Sequence, residues 1–277
     1  MALIETGRDE NSLSFGILGA GRLGNALAKR LRSMGAPSPI WSRRYDSHDQ
    51  VHQFGTRGYE VTPIETVASS NVVLSAIPNQ ALITLSTGPL KGFSGVMVAM
   101  GIDAPAQWVR DALPDAMVIR TSPAVPTQRG GEIRMIGLLD EACSGDLRLG
   151  RARSALEALG SIAWIEHEVL YELTTLVAGP LLTLITSAVS RTVETSLEAR
   201  RLPLEFKERV ETIVLSELAT RSLDRRECSL GIESERSTPG GVTEIALGHK
   251  EDLSIQLGTI VSLMQDRMSQ LRNRTET

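Results

Sequence analysis

The sequence predicts an α/β fold in which a doubly wound parallel sheet comes first and an all-helical domain follows. Short, continuous apolar runs recur between residues 14 and 165, as in parallel strands that helices cover on both faces. Beyond about Glu166 such runs stop, and long helical patterns continue to the end of the chain. A length of 277 residues is typical of about two domains. We therefore expect one domain over residues 1–166 and a second over residues 167–277.

The predicted strands follow one another at spacings that leave room for connecting helices. An amphipathic helix is predicted over Asn25–Met34, directly after the first strand. In chain order the strands are Ser14–Leu18, Pro39–Trp41, Gly58–Thr62, Asn71–Ile77, Gly95–Met100, Ala116–Arg120, Ile133–Leu139 and Ile162–Ile165.

A glycine-rich turn joins the first strand to the first helix. Its spacing is G-x-G-x-x-G, over Gly19, Ala20, Gly21, Arg22, Leu23 and Gly24. In such a turn Gly19 allows the tight bend, Gly21 lets the backbone approach a pyrophosphate, and Gly24 lets the helix pack close to the strand. The phosphates then bind the free N–H groups at the start of the helix. The pattern predicts a dinucleotide-binding Rossmann domain.

The residues after the second strand indicate which dinucleotide is bound. NAD-selective domains usually carry an acidic residue there, which binds the ribose 2′-hydroxyl. This chain has Ser42, Arg43 and Arg44 instead, and its first acidic residue is Asp46. Two guanidinium groups suit a 2′-phosphate, so we expect NADP, in use as NADPH. The alternative is that both arginines are solvated surface charges.

Composition and charge exclude several classes of protein. With 42% hydrophobic and 22% charged residues the chain is typical of soluble globular proteins, and its net charge of −4 is unlike that of a nucleic-acid-binding protein. We expect no signal peptide and no membrane partner, since the start is polar and no run approaches eighteen apolar residues. Two lone cysteines, Cys143 and Cys228, fit a reducing cytoplasm. The histidines are not spaced as metal ligands, so we expect no metal.

Long helices dominate the second half. Leu170–Val193 is apolar on most sides, so the helix must be buried, most easily inside a subunit interface. A second helix begins at Pro203 and ends near Arg225, and a third covers Leu253–Leu271. We therefore expect a helical dimerisation domain and a homodimer or higher homo-oligomer.

One segment of the helical half has a chemistry that can be inferred. Pro239 is followed by Gly240 and Gly241, whose backbone N–H groups are unobstructed, and a helix is predicted from Val242. This arrangement suits a carboxylate, with the Thr243 hydroxyl directed at the same ligand. The alternative is an ordinary glycine-rich entry into a helix.

Taken together, the motifs make the chain resemble the pyrroline-5-carboxylate reductases, which reduce a cyclic imine to proline with NAD(P)H. The resemblance rests on Phe15–Gly24, Met100–Ile102, Arg120–Pro126, Ala178–Pro180 and Pro239–Thr243. It implies an intertwined helical dimer and a carboxylated cyclic imine as the substrate. It also implies cofactor contacts at the ends of two further strands, through Ala76, Ile77, Pro78, Met100 and Gly101.

The resemblance further implies roles in the substrate site. Gly240 and Gly241 would bind the substrate carboxylate, and Thr243 would be the catalytic residue beside the imine nitrogen. Gly179 and Pro180 would contact the substrate at the start of the interface helix.

The chain also differs from the family pattern. Ala124 and Val125 replace a polar pair, Ala178 replaces a serine, and an acidic residue of the interface helix is lost among Thr186–Ala188. Three functions therefore stay open: a proline-forming reductase, a reductase of a different imine or carbonyl compound in specialised metabolism, and a non-catalytic NADP-binding sensor.

Overall fold

The computed structural model describes residues 13–43, 61–124, 132–139, 143–203, 205–223 and 248–273. Its strands are β1 (Phe15–Leu18), β2 (Ile40–Trp41), β3 (Val72–Ser75), β4 (Val96–Ala99), β5 (Met117–Ala124), β6 (Arg134–Leu138) and β7 (Ile162–Ile165). Helices of the same region are α1 (Arg22–Ser33), α2 (Ile64–Ala68), α3 (Asn79–Ser86), α4 (Ala106–Ala112), α5 (Leu149–Leu159) and α6 (Glu168–Leu176). A π-helical turn (Val177–Leu181) comes next, followed by α7 (Leu182–Ala199), α8 (Phe206–Leu223) and α9 (Lys250–Asn273).

The chain forms two compact units. The first comprises Met1–Thr175 together with Arg267–Thr277, and the second comprises Leu176–Asp266. We predicted a division after residue 166, where the last strand ends. The structure instead keeps most of α6 with the sheet, because Tyr171 is fully buried against Ala106 and Leu138.

The first unit has the predicted doubly wound architecture. Its strands form one sheet in the order β2-β1-β3-β4-β5-β6-β7. All neighbouring strands are parallel except β5 and β6, which are antiparallel. A parallel crossover needs a dozen or more residues, and the chain between Ala124 and Arg134 is too short for one. The expected third strand, Gly58–Thr62, lies mostly outside the described residues, but Val61 forms a parallel bridge with Ile40.

Both faces of the sheet are covered, which explains the continuous apolar runs. Ile17, Leu74 and Val98 pack with α1 and α5 on one face. Their neighbours Leu18, Val73 and Met97 pack with α2, α3 and α4 on the other. Each strand therefore supplies side chains to two cores, and all residues of β1, β3 and β4 are buried.

In the second unit, α7 packs along α8 and buries only part of its apolar surface. Val193 and Leu197 are buried, whereas Leu182 is 49% and Leu184 is 41% exposed. The single chain therefore does not bury this helix on all sides, and its burial in a subunit interface stays a prediction. Among the described residues, the continuous helix Glu168–Ala199 is the one whose length and composition would allow it to cross a membrane. A core helix of a soluble protein can have the same length and apolar composition, so the finding is weak evidence for a membrane span.

Candidate functional site

The glycine-rich turn has the geometry that its spacing predicts. Gly19 has a φ of 102°, and a Cβ atom there would lie 2.9 Å from the Ala76 carbonyl oxygen. A Cβ atom on Gly24 would lie only 1.7 Å from the Gly19 carbonyl oxygen. A Cβ atom on Gly21, by contrast, would meet no heavy atom within 4 Å. The fold itself therefore requires glycine at two of these positions, while Gly21 borders open space that a ligand backbone could approach.

The N-terminus of α1 opens onto the same space. No side chain among the described residues caps the helix, and its first turn has no acidic residue. The Asn25 N–H donates to the Gly21 carbonyl oxygen at 3.0 Å, and the Asn25 amide donates to Ala20 at 3.1 Å, which fixes the turn. An uncapped helix N-terminus carries partial positive charge and is suited to phosphate. The residues present therefore fit the pyrophosphate of a dinucleotide.

Backbone hydrogen bonds bring the ends of the neighbouring strands to this turn. The Gly19 N–H donates to the Trp41 oxygen at 2.7 Å. On the other side, the Ala76 N–H donates to the Leu18 oxygen at 2.8 Å. Strand order reverses between β2-β1 and β3-β4, and such a reversal creates the crevice where α/β proteins bind ligands. The predicted residues Ala76, Ile77, Pro78, Met100 and Gly101 all follow β3 or β4 at this edge.

The structure describes two of the three residues that are expected to select the cofactor. Ser42 and Arg43 directly follow β2, where Ser42 is half-buried and Arg43 is exposed. Arg44 lies outside the described residues. The hydrogen bond between Gly19 and Trp41 joins the end of β2 to the glycine-rich turn, and Arg43 follows Trp41 by only two residues.

Two residues that the sequence analysis missed hold the loops after β3 and β4 together. The Asp103 carboxylate accepts hydrogen bonds from the Asn79 N–H at 2.8 Å and the Gln80 N–H at 3.0 Å, and so caps α3. The buried Asn79 side chain donates to the Gly101 oxygen at 2.9 Å and to the Ala104 oxygen at 3.2 Å. A cap normally comes from the residue before the helix, which here is Pro78, so local sequence gave no signal of Asp103.

A buried arginine lies further along the same edge. Arg120 pairs in register with Ala99 at the end of β4, and its side chain is fully buried. Its Nη1 atom lies 2.6 Å from Glu168 Oε1 and 3.4 Å from Glu172 Oε1. The guanidinium carbon lies 5.0 Å from the centre of the Tyr171 ring. The arginine therefore ties α6 to the sheet by ion pairs and a cation–π contact.

The network extends from Arg120 to two further elements. Glu168 also accepts a hydrogen bond from the Ala106 N–H at 3.0 Å, at the start of α4. Glu172 also pairs with Arg272, near the end of α9. Burial raises the pKa of Tyr171 to about 12, although the charge of Arg120 acts to lower it. The tyrosine is therefore neutral at physiological pH. In the sequence, Glu168 and Glu172 are four residues apart, which places both carboxylates on one face of a helix. This spacing was the available signal for the cluster.

The predicted substrate residues are only partly described. Gly179 and Pro180 lie in the π-helical turn Val177–Leu181, and turns of this kind are frequent at functional sites. Their neighbour Ala178 lines a cavity of about 520 Å³ between α7 and α8. Gly240, Gly241 and Thr243 lie outside the described residues. Among the residues that are described, no group of three His, Cys, Asp or Glu side chains is arranged to hold a metal ion.

Comparison with known proteins agrees with this geometry. Residues 14–92 match a family model described as NADP oxidoreductase, coenzyme F420-dependent. Among curated proteins, none matches the sequence significantly. The fold is similar to that of a Plasmodium falciparum pyrroline carboxylate reductase with NADP bound, with a TM-score of 0.72, 12% identity and coverage of 94% of this chain and 98% of that one.

Two further solved structures are similar over nearly the whole chain. A Streptococcus pyogenes 1-pyrroline-5-carboxylate reductase has a TM-score of 0.72 at 18% identity, with coverage of 94% of this chain and 98% of that one. An imine reductase from Bacillus cereus has a TM-score of 0.52 at 18% identity, with coverage of 95% and 93%. The chain has the fold of the pyrroline-5-carboxylate reductases. The predicted fold class is thereby confirmed, and the NADP prediction is borne out by the family model matched over residues 14–92.

Proposed function

We propose that the protein is an NADPH-dependent reductase of a cyclic imine, with reduction of 1-pyrroline-5-carboxylate to L-proline as the reference reaction. The observation that carries the proposal is the turn at the end of β1, where Gly21 borders open space beside an uncapped helix. Arg43 stands where an NAD-selective domain would carry an acidic residue. Both features fit a dinucleotide with a 2′-phosphate.

The expected chemistry needs little from the protein beyond binding and orientation. NADPH, held at the turn Gly19–Gly24, would supply the hydride that reduces an electrophilic C=N carbon, with the electron pair of the double bond passing to nitrogen. Protonation of the nitrogen already polarises this bond, so accurate placement of the substrate is the main requirement. In this proposal the backbone N–H groups of Gly240 and Gly241 hold a carboxylate, and the Thr243 hydroxyl forms a hydrogen bond with the nitrogen. Gly179 and Pro180 supply a wall of the substrate site.

A different imine or a carbonyl compound is the second candidate substrate. Small or hydroxyl-bearing residues, Ala178, Thr186 and Ser187, line the cavity beside the π-helical turn, and Leu182 adds apolar surface. In the family that the motifs resemble, a serine stands in place of Ala178 and the interface helix has an acidic residue where this chain has Thr186–Ala188. The difference favours a substrate other than the proline precursor while leaving the hydride chemistry unchanged.

The same proposal includes a homodimer formed through the helical region. Large apolar side chains are exposed along the helix from Glu168 to Ala199 in the single chain: Val169, Leu170, Leu173, Val177, Leu182 and Leu184. Patches of this kind on a soluble protein usually mark an interaction surface. A second copy of the chain is the partner that the resemblance implies.

A substrate panel tests the proposal. Purified protein is mixed with NADPH and, in turn, 1-pyrroline-5-carboxylate, its counterpart without the carboxylate, six-membered cyclic imines and simple ketones, and loss of NADPH absorbance is followed. We expect turnover of at least one imine. Turnover of ketones alone would favour the carbonyl reductase, and NADPH binding without any turnover would favour the sensor.

A further inference from the structure

A hydrogen-bond network joins the two loops that follow β3 and β4. The Asp103 carboxylate accepts one hydrogen bond at each oxygen, from the Asn79 N–H at 2.8 Å and from the Gln80 N–H at 3.0 Å. In return, the Asn79 amide donates to the Gly101 and Ala104 carbonyl oxygens at 2.9 Å and 3.2 Å. This Asn79–Asp103 network therefore connects residues that lie 22 to 25 positions apart in the sequence.

The geometry of the network leaves its members one arrangement. Asn79 is fully buried, and carbonyl oxygens cannot donate, so its amide nitrogen must face Gly101 and Ala104. A Cβ atom on Gly101 would lie 2.6 Å from the Asn79 backbone nitrogen and 2.7 Å from Asp103 Oδ1. The Gly101 backbone is therefore packed directly against the network, and it cannot shift unless these hydrogen bonds break.

Helix capping alone does not explain why the carboxylate comes from the second loop. A cap is usually the side chain of the residue directly before the helix. That residue is Pro78, and α3 is capped instead by Asp103, which follows the next strand. Because the cap comes from the other loop, it fixes the two loops relative to each other.

Both loops border one half of the crevice at the glycine-rich turn. The Ala76 N–H donates to the Leu18 oxygen at 2.8 Å. The Met100 N–H donates to the Ser75 oxygen at 3.2 Å. A dinucleotide spans such a crevice, with the ribose that carries the 2′-substituent at the end of β2. Its other half, which carries the nicotinamide, would therefore face the loops after β3 and β4.

The two loops offer this half of the cofactor backbone and apolar surface. They include Ala76, Ile77, Pro78, Met100 and Gly101. None of these side chains is charged or donates a hydrogen bond, so orientation depends on where the backbone lies. A displacement of about 1 Å can cost about two orders of magnitude in rate.

We propose that Asp103 and Asn79 are positioning residues, which place the loops after β3 and β4 for the nicotinamide half of NADPH without touching it. Their action passes through the backbone of Gly101 and the start of α3. The proposal rests on the proposed function only for NADPH as the cofactor.

Binding of two ligands separates positioning from general stability. The full-length protein is titrated calorimetrically with NADPH and with adenosine 2′,5′-bisphosphate, which keeps the 2′-phosphate and lacks the nicotinamide half. Asp103→Ala should weaken NADPH binding about tenfold and change binding of the bisphosphate by less than about twofold. A residue that only stabilised the fold would affect both ligands alike or neither.

Asp146→Ala is the matched control. Asp146 is also half-buried, and it accepts the backbone N–H of Arg148 at 2.8 Å, directly before α5. Arg148 in turn donates to the Ser94 oxygen, which precedes β4, so this carboxylate lies at the opposite edge of the sheet. Asp146→Ala should therefore leave binding of both ligands unchanged. Urea unfolding of each variant shows that it is folded under the conditions of the titration.

A second variant replaces the main test if Asp103→Ala does not fold. Asp103→Asn keeps one acceptor oxygen and should weaken binding severalfold for NADPH alone. Equal weakening of both ligands, unchanged NADPH binding, or the same selective loss in Asp146→Ala would overturn the positioning role.

The outcome is distinguishable from failure of the proposed function. Selective loss of NADPH binding in Asp103→Ala, without turnover of any imine by the wild type, would support the positioning role and refute the reductase. Imine turnover by the wild type, with both ligands bound equally well by Asp103→Ala and Asp146→Ala, would support the reductase and refute the positioning role.

Discussion

Glycine has different functions at two positions of the turn after β1. At Gly24 the carbonyl oxygen of Gly19 occupies the space that a side chain would need. At Gly21 that space is open, and the backbone φ of −74° is accessible to any residue. One position therefore serves the packing of α1 on the sheet, and the other serves the approach of a ligand.

Alanine at these two positions should separate stability from binding. Gly24→Ala should lower the free energy of unfolding by about 3 kcal/mol, because an atom enters a packed contact. Gly21→Ala should leave stability within about 0.5 kcal/mol but weaken NADPH binding at least tenfold, since its methyl group occupies the phosphate cradle. Urea unfolding and NADPH titration measure the two effects. Gly150→Ala, in α5 with open space around it, is the control and should not destabilise.

Cofactor selectivity is a second residue-scale property. Replacing Arg43 and Arg44 by alanine should weaken NADPH binding about tenfold or more per lost contact, because a hydrogen bond to a charged group contributes about 1.5–3 kcal/mol. NADH binding should change little. Titration with both nucleotides checks this, with the exposed Arg209→Ala as control. Equal losses for both cofactors would refute the role of these arginines.

Thr243 carries the proposed contact with the reacting nitrogen. Thr243→Val keeps the shape of the side chain and removes its hydrogen bond, so kcat/KM for the best imine should fall by about one to two orders of magnitude. NADPH binding should be unchanged. Steady-state kinetics with that imine measure the loss, and unchanged turnover would show that the residue does not act in the reaction.

At the scale of elements, Arg120 determines how α6 is held on the sheet. Arg120→Met would remove the nearest cation from Glu168 and leave Glu172 with Arg272, and loss of a hydrogen bond to a charged group typically costs about 1.5–3 kcal/mol. Urea unfolding should show a loss in this range. Arg191→Met breaks an exposed pair with Glu194 and should cost less than about 1 kcal/mol. Similar losses for the two variants would mean that Arg120 contributes no more than a surface charge.

At the scale of the whole molecule, the exposed apolar face of α7 is the proposed dimer interface. Leu184→Asp would place a carboxylate in the proposed interface, at a cost of several kcal/mol, and should yield monomer or aggregate. Thr192→Asp changes an exposed polar position of the same helix and should leave assembly intact. Sedimentation velocity at micromolar concentration distinguishes these outcomes, and a wild-type monomer would contradict the proposed dimer.

Local sequence signals predicted the parts of the molecule that local contacts determine. β1, the glycine-rich turn and α1 follow from residues adjacent in the chain, and the doubly wound order follows from strands buried on both faces. The strand β6 was predicted, but its antiparallel direction was missed because apolar content does not reveal strand direction. The cap of α3 by Asp103 and the Arg120–Glu168 pair join residues distant in sequence, which no periodicity reveals.

The most direct test of the central claim is transfer of deuterium from deuterated NADPH to the imine carbon, followed by mass spectrometry of the product. We predict a deuterated amine from at least one cyclic imine with the wild-type protein, and a yield with Gly21→Ala that falls in proportion to its weaker NADPH binding when the NADPH concentration is below the dissociation constant of the wild type. NADPH binding with no deuterated product from any imine would contradict the claim that this protein is an imine reductase.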